Sequence, residues 1–416
     1  MKKKLACVLA AAMLMGTLSA CGSSEGSSDG KKKELVVWNA GIQTSDTSGE
    51  LTREEMPVFD LIEEFESTHP DYTVTLVDYD MDNLNKAFTS ANMAKQGPDM
   101  VAIWAGSTTL AYQDYLIDFS EYLTEEELQE FDTSSLLHKN NTSQEAFIGM
   151  PYGLDATGVL YYNTEIFEQY NLEVPETWSE LIEVSEQLKA EGVTPMIIGD
   201  KDGYCSTWAV CSMLGSIMGP DGIRNLASGG SVPLTGEEFT TALTTWKEYV
   251  DAGYTNVDYL TKSDGDAITD FVQGKGAMLL HGNWACSDFE AMGDKVDLTR
   301  IPALDGTDYM DYMYSQPNIN LIIPSYSENI EAAVDLCKML SSTEFTEKSN
   351  EALYSKETAA RLSRKSKELT GEGKNVTGFD SIVSGEAANE FYKLVPTYLK
   401  GSITLEDFTA KLQELN

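Results

Sequence analysis

The segment GMPYGLDATGVLYYNTEIF, residues 149–167, marks the beginning of a second structural unit in this 416-residue chain. In the unit before it, short apolar runs alternate with amphipathic stretches of helical period. The runs that predict strands are LVVWN (35–39), TVTLVDY (73–79) and DMVAIWA (99–105). This alternation predicts an α/β fold with a parallel sheet covered by helices on both faces. Sheets of this kind bind ligands beyond the carboxyl ends of their strands.

The alternation continues in the second unit. Apolar runs at 194–199, 277–282 and 319–324 predict further strands, and helical patterns cover 206–218, 237–251 and 327–341. Residues Thr404–Asp407 match a capping box, which predicts the start of a last helix. The chain is long enough for two or three domains.

Residues 1–20 predict a secretory signal peptide. A basic start (KKK, 2–4) precedes an apolar run from residue 5 to 15, which is too short to span a bilayer as a helix. The LSAC sequence at 18–21 resembles the bacterial lipoprotein box. That resemblance implies cleavage before Cys21 and attachment of lipid, including palmitate, to this cysteine. The mature protein is therefore expected on the outer face of a bacterial cell membrane.

A flexible tether is predicted at residues 21–34, which contain only small, polar and charged types after the cysteine. Loss of the three signal-peptide lysines takes the formal charge from −38 to −41. This charge argues against nucleic-acid partners, which require basic patches to bind phosphate. Because no later apolar stretch reaches eighteen residues, the lipid is expected to be the only membrane attachment.

No metal site, cofactor site or catalytic motif is predicted. The cysteines left after lipidation are Cys205, Cys211, Cys286 and Cys337, and they show no CxxC spacing. They could pair in three ways or remain buried free thiols. The three histidines form no HExxH motif, and neither a Walker A sequence nor a GxGxxG run after a strand is present. The chain is accordingly not expected to be an enzyme.

Several segments together resemble the extracellular solute-binding proteins of ATP-driven sugar importers, the family 1 group that includes maltose-binding protein. They are LVVWN (35–39), GPDMVAIWAG (97–106), GMPYGLDATGVLYYNTEIF (149–167), VPETWSELIE (174–183) and FVQGKGAMLLHGNWACSDF (271–289). The resemblance implies two α/β lobes, each a mainly parallel sheet flanked by helices, with a hinge between them. Crossovers between the lobes are expected near Pro151–Thr157 and Arg300–Leu304.

The resemblance also implies a division of the chain. The N-terminal lobe is expected at 35–153 plus 303–342, and the C-terminal lobe at 154–302 plus 343–416. The ligand is expected in the cleft between the lobes.

Sugar binding requires flat aromatic platforms for apolar C–H faces and planar polar groups for neighbouring hydroxyls. Trp284 matches the stacking tryptophan of the family, Trp104 matches a tryptophan of the first lobe, and Asp155 lies where the family often presents an acid. Other ligand-binding residues are expected at Trp208, Asn39, Gln43, Asn283, Gln316, Tyr152 and Tyr314.

The function implied is capture of a carbohydrate, an oligosaccharide, and its delivery to the membrane subunits of an ABC permease that an ATPase drives. The receptor is expected to be a monomer. Two alternatives remain open: a receptor of the same fold for a polyamine or a peptide, and a surface glycoside hydrolase with two carboxylates flanking the sugar.

Overall fold

The computed structural model describes residues 32–45, 51–129, 137–141, 146–153, 155–227, 233–370 and 374–415. The expected signal peptide, Cys21 and most of the expected tether lie outside these residues. Within the described ranges, no helix is both long enough and apolar enough to cross a membrane.

Strands are distributed along the whole described chain. They are β1 (Lys33–Asn39), β2 (Tyr72–Asp78), β3 (Met100–Trp104), β4 (Leu137–His138), β5 (Phe147–Tyr152), β6 (Asp155–Ala156), β7 (Val159–Asn163), β8 (Thr194–Ile197), β9 (Gly276–His281), β10 (Val296–Arg300), β11 (Met313–Gln316), β12 (Ile319–Ile322) and β13 (Asn375–Val376).

The helices alternate with these strands. They are α1 (Pro57–Thr68), α2 (Met81–Ala94), α3 (Ser107–Leu110), α4 (Glu125–Gln129), α5 (Thr164–Gln169), α6 (Trp178–Ala190), α7 (Tyr204–Ala227), α8 (Glu237–Asp251), α9 (Asp264–Val272), α10 (Ile330–Ser341), α11 (Thr343–Leu353), α12 (Glu357–Thr370), α13 (Phe379–Ile382), α14 (Gly385–Leu399) and α15 (Leu405–Gln413). A 3-10 segment, Asn283–Lys295, follows β9.

Local chemistry explains several helix boundaries. The predicted capping box is confirmed, because the Thr404 side chain accepts from the backbone N–H of Asp407 and the Asp407 carboxylate accepts in return. Thr177 and Glu180 form the same arrangement at the start of α6. Helix α8 has the predicted bounds, since its apolar positions recur at helical spacing against the core.

The first sheet contains six strands in the order β2-β1-β3-β12-β5-β4. Strand β1 pairs in parallel with both β2 and β3. Strand β12 is antiparallel to β3 and to β5, and β4 is antiparallel to β5. The carboxyl end of β3 therefore lies at the same edge as that of β1, and Trp104 is the last residue of β3.

The second unit holds a four-stranded sheet in the order β10-β7-β9-β8, in which only β8 and β9 are parallel. A small third sheet, β13-β11-β6, joins segments from distant parts of the chain. The predicted α/β class is confirmed, whereas the prediction of mainly parallel sheets is wrong. Two parallel neighbouring strands are joined by a crossover connection that leaves and re-enters the same sheet. Strands β12 and β7 instead enter their sheets from the other unit, and both pair antiparallel to their neighbours.

Three groups of buried apolar residues form the interior. The first core combines residues of 35–150 with residues of 319–345, including Phe345 of α11. The second core combines residues from 160–314 with residues from 376–412, and the third lies around β7, β9 and the 3-10 segment. Both units are thus built from non-contiguous stretches of chain.

Candidate functional site

A cavity of about 720 Å³ lies between elements of the first core and elements of the second. This volume falls within the range of about 300 to 1,000 Å³ typical of small-molecule sites. The residues that line it are Asn85, Trp104, Ala105, Ser107, Thr108, Ala111, Tyr112, Thr157, Tyr204, Trp208, Asp264, Trp284, Pro317, Asn318, Asp380, Ser381, Gly385, Ala388, Asn389 and Tyr392.

Three tryptophans line this cavity from two sides. Trp104 follows the buried part of β3, and 51% of its surface is exposed although it is a large apolar residue. Trp208 of α7 and Trp284 of the 3-10 segment lie on the opposite side, with ring centroids 5.5 Å apart at 80°. Trp104 and Trp284 are partly exposed, whereas Trp208 is only 9% exposed and contacts the Trp284 ring edge-on. Partly exposed aromatic faces provide the platforms that sugar rings require.

The Trp284 ring is held by its neighbours. His281, at the end of β9, contacts both indoles edge-on, with centroid distances of 5.9 Å to Trp208 and 5.6 Å to Trp284. The Trp284 ring also packs over Gly282, where a Cβ atom would lie 2.1 Å from it. The Gly282-Asn283-Trp284 sequence therefore brings the indole back over the end of the strand.

Asp264 is an acid of the cavity wall that the sequence analysis did not identify. It begins α9, and its Oδ2 atom lies 2.9 Å from Nε2 of the buried His281. The Cys205 thiol lies 3.6 Å from the other carboxylate oxygen. The Asp264 side chain nevertheless keeps 44% of its surface exposed, so its orientation is fixed while its oxygens remain accessible.

Asp380 of α13 is the second acid of the wall, and it is almost fully buried. Its Oδ1 accepts from the Tyr314 hydroxyl at 2.9 Å and from the Cys211 thiol at 3.2 Å, and its Oδ2 accepts from the Tyr392 hydroxyl at 2.8 Å. Burial raises the pKa of this carboxyl, and the three donated hydrogen bonds act in the opposite direction.

Amide and hydroxyl groups complete the first-unit side of the cavity. The Tyr112 hydroxyl donates to the backbone oxygen of Asn85 and lies 3.1 Å from its side-chain oxygen. The Thr109 hydroxyl donates to the backbone oxygen of Trp104 at 2.9 Å, which fixes the turn after β3. The Asn85 amide lines the cavity, and such planar groups hydrogen-bond neighbouring hydroxyls of a ligand.

Asp155 lies on β6, next to the cavity but outside the residues that line it. Its backbone pairs with Gln316 of β11, and its carboxylate accepts from the Asn318 side chain. Burial raises the pKa of Asp155 to about 6, although the Asn318 hydrogen bond lowers it. This geometry places Asp155 at the connection between the two units.

Several other expected ligand residues also lie outside the cavity lining. The side chain of Asn39 is buried, donates to Ile42 and Asp78, and accepts from the backbone of Gly41 and Ile42. These contacts use its full hydrogen-bonding capacity in the turn after β1, so we propose a structural role for it.

Gln43 is exposed in the loop after β1, and its backbone lies near the Tyr152 hydroxyl. Tyr152 packs against Phe345 of the first core, with ring centroids 6.2 Å apart. Both residues therefore lie on the first-core side of the site.

Tyr314 is buried behind Asp380, to which its hydroxyl donates, and does not line the cavity itself. Asn283 is half-buried, and its Oδ1 accepts no hydrogen bond from the described residues. Gln316 is placed through its backbone alone, and its side chain lies outside the described part of the structure. The ligand-binding roles of these residues stay predictions.

Sequence patterns do not point to five of the lining residues: Asp264, Asp380, Tyr204, Tyr392 and Asn318. Asp264 and Asp380 occur in the first turns of helices, where an acid is ordinary, and the C-terminal stretch carries no recognisable motif. The four cysteines are free and buried. Across the described residues, no group of three or more histidine, cysteine, aspartate or glutamate side chains is arranged to hold a metal ion.

Comparison with known proteins agrees with this architecture. An uncharacterised ABC transporter extracellular-binding protein of Pyrococcus horikoshii is 26% identical over 226 residues, which cover 53% of this chain and 50% of that protein. The chain thus matches about half the length of this relative. The galactooligosaccharide-binding protein of Bacillus subtilis is 22% identical over 82% of this chain and 77% of its own length.

A solved structure from work on xylan utilisation by Caldanaerobius polysaccharolyticus shares the fold. It has a TM-score of 0.73 and 22% identity, and the alignment covers 92% of this chain and 99% of that one. The sequence profile of the bacterial extracellular solute-binding proteins matches residues 59–347, more than half of the chain. The chain therefore belongs to the bacterial extracellular solute-binding protein family.

Proposed function

We propose that this protein captures a carbohydrate, an oligosaccharide, in the cavity between its two units and delivers it to an ABC permease. The observation that carries the proposal is the meeting of Trp104, Trp208 and Trp284 around one cavity whose wall also includes acids, amides and hydroxyls. Aromatic faces bind the apolar faces of sugar rings, and the polar groups bind the hydroxyls.

The relatives support the same class of ligand. The Bacillus subtilis protein is named for galactooligosaccharide binding, and the structurally similar Caldanaerobius protein was studied in xylan utilisation. Both names refer to sugars with several rings, which a cavity of about 720 Å³ accommodates.

The proposed mechanism is closure of two lobes around the ligand. We place the hinge where β6 and β11 pair, because these strands connect the two units. We further propose that the first lobe extends to the end of α11, since Phe345 packs in the first core, rather than ending at residue 342. Ligand that contacts both lobes favours the closed form, and that form presents the permease-binding surface.

We propose that the receptor acts as a monomer and is held at the outer face of the bacterial membrane by lipid on Cys21. Support for this comes from the signal-like residues 1–20 and the lipoprotein-box sequence LSAC (18–21). A tether of polar residues would allow the folded body to reach the permease while it remains anchored.

A polyamine is the second candidate ligand, because the cavity wall combines tryptophans with Asp264 and Asp380 and, among the described residues, includes no lysine or arginine. Aromatic faces and carboxylates together bind ammonium groups as well as they bind sugars. The arrangement of planar amides such as Asn85 and Asn318 around the tryptophans favours the sugar.

The test is calorimetric titration of the protein with neutral mono- and oligosaccharides, polyamines and short peptides, with product analysis of each mixture. We expect saturable binding of an intact oligosaccharide with a Kd of about 1 μM or tighter, which corresponds to about −8 kcal/mol. Binding of amines alone would replace the proposed ligand, and a shortened sugar would show a hydrolase.

A further inference from the structure

The described residues of the cavity wall include two acids and no lysine or arginine. The acids are Asp264 and Asp380. The internal segments outside the described residues (46–50, 130–136, 142–145, 154, 228–232 and 371–373) contain no lysine or arginine in their sequence. The ionisable aspartate and tyrosine side chains of the described cavity wall therefore supply negative charge only.

Helix N-termini do not supply the missing positive charge. Helices α7, α9 and α14 all begin at the cavity, and the backbone N–H groups of their first turns would ordinarily favour an anion. The first turn of α9, however, carries Asp264 and Asp266, the first turn of α14 carries Glu386, and the Asp200 carboxylate accepts from the backbone N–H of Ser206 in the first turn of α7. These acids offset the partial positive charge at each helix end.

The two acids of the wall differ in their access to ligand. Asp380 is buried and accepts from three donors of the protein, Tyr314, Tyr392 and Cys211. Asp264 is oriented by His281 at 2.9 Å but remains 44% exposed. An anionic substituent on a ligand would approach the Asp264 carboxylate first, with no Arg or Lys to pair with it.

We propose that this cavity selects uncharged sugars and rejects sugars that carry a carboxylate, and that Asp264 is the residue that determines this specificity. The inference rests on the proposed function. An unpaired negative charge loses its hydration on entering the cavity and also meets a like charge, and both effects oppose binding. Rejection of one ligand class by an unfavourable contact is an ordinary source of specificity.

The experiment compares each neutral sugar with its oxidised counterpart on the purified full-length protein. Maltotriose, cellotriose and β-1,4-galactotriose are titrated beside the same sugars whose C6 alcohols have been oxidised to carboxylates. For any neutral sugar that binds, we expect the oxidised form to bind at least about tenfold more weakly. We expect the difference to decrease in high salt, because salt screens the repulsion.

The variant that tests the residue is Asp264→Asn, which retains an oxygen facing His281 and removes the charge. We expect the ratio of the two dissociation constants to fall by about tenfold. The matched control is Asp71→Asn, which removes one charge from an exposed position outside the cavity lining and should leave the ratio unchanged. Thermal melting confirms that both variants are folded.

The outcomes separate the inference from the proposed function. Equal binding of neutral and oxidised sugars to the unaltered protein would contradict the proposed charge selection but not the proposed function as a sugar receptor. An unchanged ratio in Asp264→Asn would remove Asp264 as the determinant. Binding of amines or peptides with no sugar bound would overturn both proposals.

Discussion

The indole of Trp284 depends on the absence of a side chain at Gly282. A Cβ atom there would lie 2.1 to 2.5 Å from three carbons of the Trp284 ring. The backbone at Gly282, with φ −106° and ψ 169°, is extended and open to any residue. A substitution at this position therefore acts on the ring and not on the backbone.

The first prediction is that Gly282→Ala moves the Trp284 ring and weakens binding of the ligand by about 1 to 2 kcal/mol. Calorimetry measures the affinity, and near-ultraviolet circular dichroism reports the changed contact with Trp208. Gly265→Ala is the control, because a Cβ there has no atom within 4 Å. Unchanged affinity and spectrum in Gly282→Ala would contradict this account of the ring.

Two buried acids give the stability of the protein a defined response to pH. Burial raises the pKa values of Asp155 and Asp200 to about 6 each. In the unfolded chain both would titrate near 3.9. Between these values the two groups bind more protons in the folded protein than in the unfolded chain, so their contribution to the free energy of unfolding falls as pH rises from 4 to 7.

The second prediction is that Asp155→Asn raises the free energy of unfolding at pH 7.5 by about 1 to 2 kcal/mol, since it removes a buried charge. At pH 4.5 the same substitution should have little effect, because the native carboxyl is then protonated. Denaturant titrations at the two pH values measure this, with exposed Asp71→Asn as control. An equal effect at both pH values would show that Asp155 does not titrate in this range.

At the level of single residues, the sequence identified aromatic positions better than acids. The cavity is lined by three tryptophans that the sequence had suggested, Trp104, Trp208 and Trp284. Each of them follows or lies within an element that the sequence pattern predicts strongly. Asp264 and Asp380 depend on His281 and on tertiary contacts from distant segments, which sequence spacing does not encode. The sequence suggested that Asn39 binds the ligand, but its side-chain amide already forms all its hydrogen bonds within the turn after β1 and with Asp78.

Helix α7 shows how one residue divides an element. It is continuous from Tyr204 to Ala227 except at Gly219, where φ is 64° and ψ is −177°. Pro220 follows, and it cannot continue the backbone hydrogen bonding of the first part. A Cβ at Gly219 would lie 2.4 Å from the ring of Tyr309, so glycine is required by conformation and by space.

The third prediction is that Gly219→Ala lowers the free energy of unfolding by about 2 to 3 kcal/mol, through backbone strain and overpacking together. The control Gly192→Ala also has positive φ but has no atom near its Cβ, so it should cost only about 1 kcal/mol. Chemical denaturation measures both. Equal losses in the two variants would show that Tyr309 does not contribute.

Strand order was harder to predict than strand position. Period and composition located β1, β2, β3 and β9 to within two residues, because each is a buried or half-buried apolar run. Their directions depend on where the chain goes between pairings. Since β12 reaches the first sheet only after the chain has formed most of the second unit, no local pattern specifies its antiparallel position.

Across the whole molecule, the two units touch at a second place besides the connecting strands. Gly106, before α3, lies against α13 so closely that a Cβ would be 1.9 Å from the backbone oxygen of Ser381. Gly385 of α14 lies near Ser107, and a Cβ atom added at Gly385 would be 3.7 Å from the backbone oxygen of Ser107. These contacts close one side of the cavity.

The fourth prediction is that Gly106→Ala hinders closure and weakens ligand binding about tenfold or more. Small-angle scattering with saturating ligand should give a larger radius of gyration than for the unaltered protein. Gly385→Ala, whose Cβ meets only ordinary contact distances, should match the unaltered protein in both measurements. Normal affinity in Gly106→Ala would show that this contact is not needed for the bound form.

The position of β12 also has a consequence for biogenesis. This strand lies between β3 and β5 in the first sheet. The two halves of the sheet therefore cannot be joined until residue 322 has left the ribosome. A nascent chain of the first 300 residues exposes unpaired strand edges and cannot complete its amino-terminal core. We expect such a chain to stay unfolded long enough for a secretion channel to thread it, and to acquire its native structure only on the far side of the membrane.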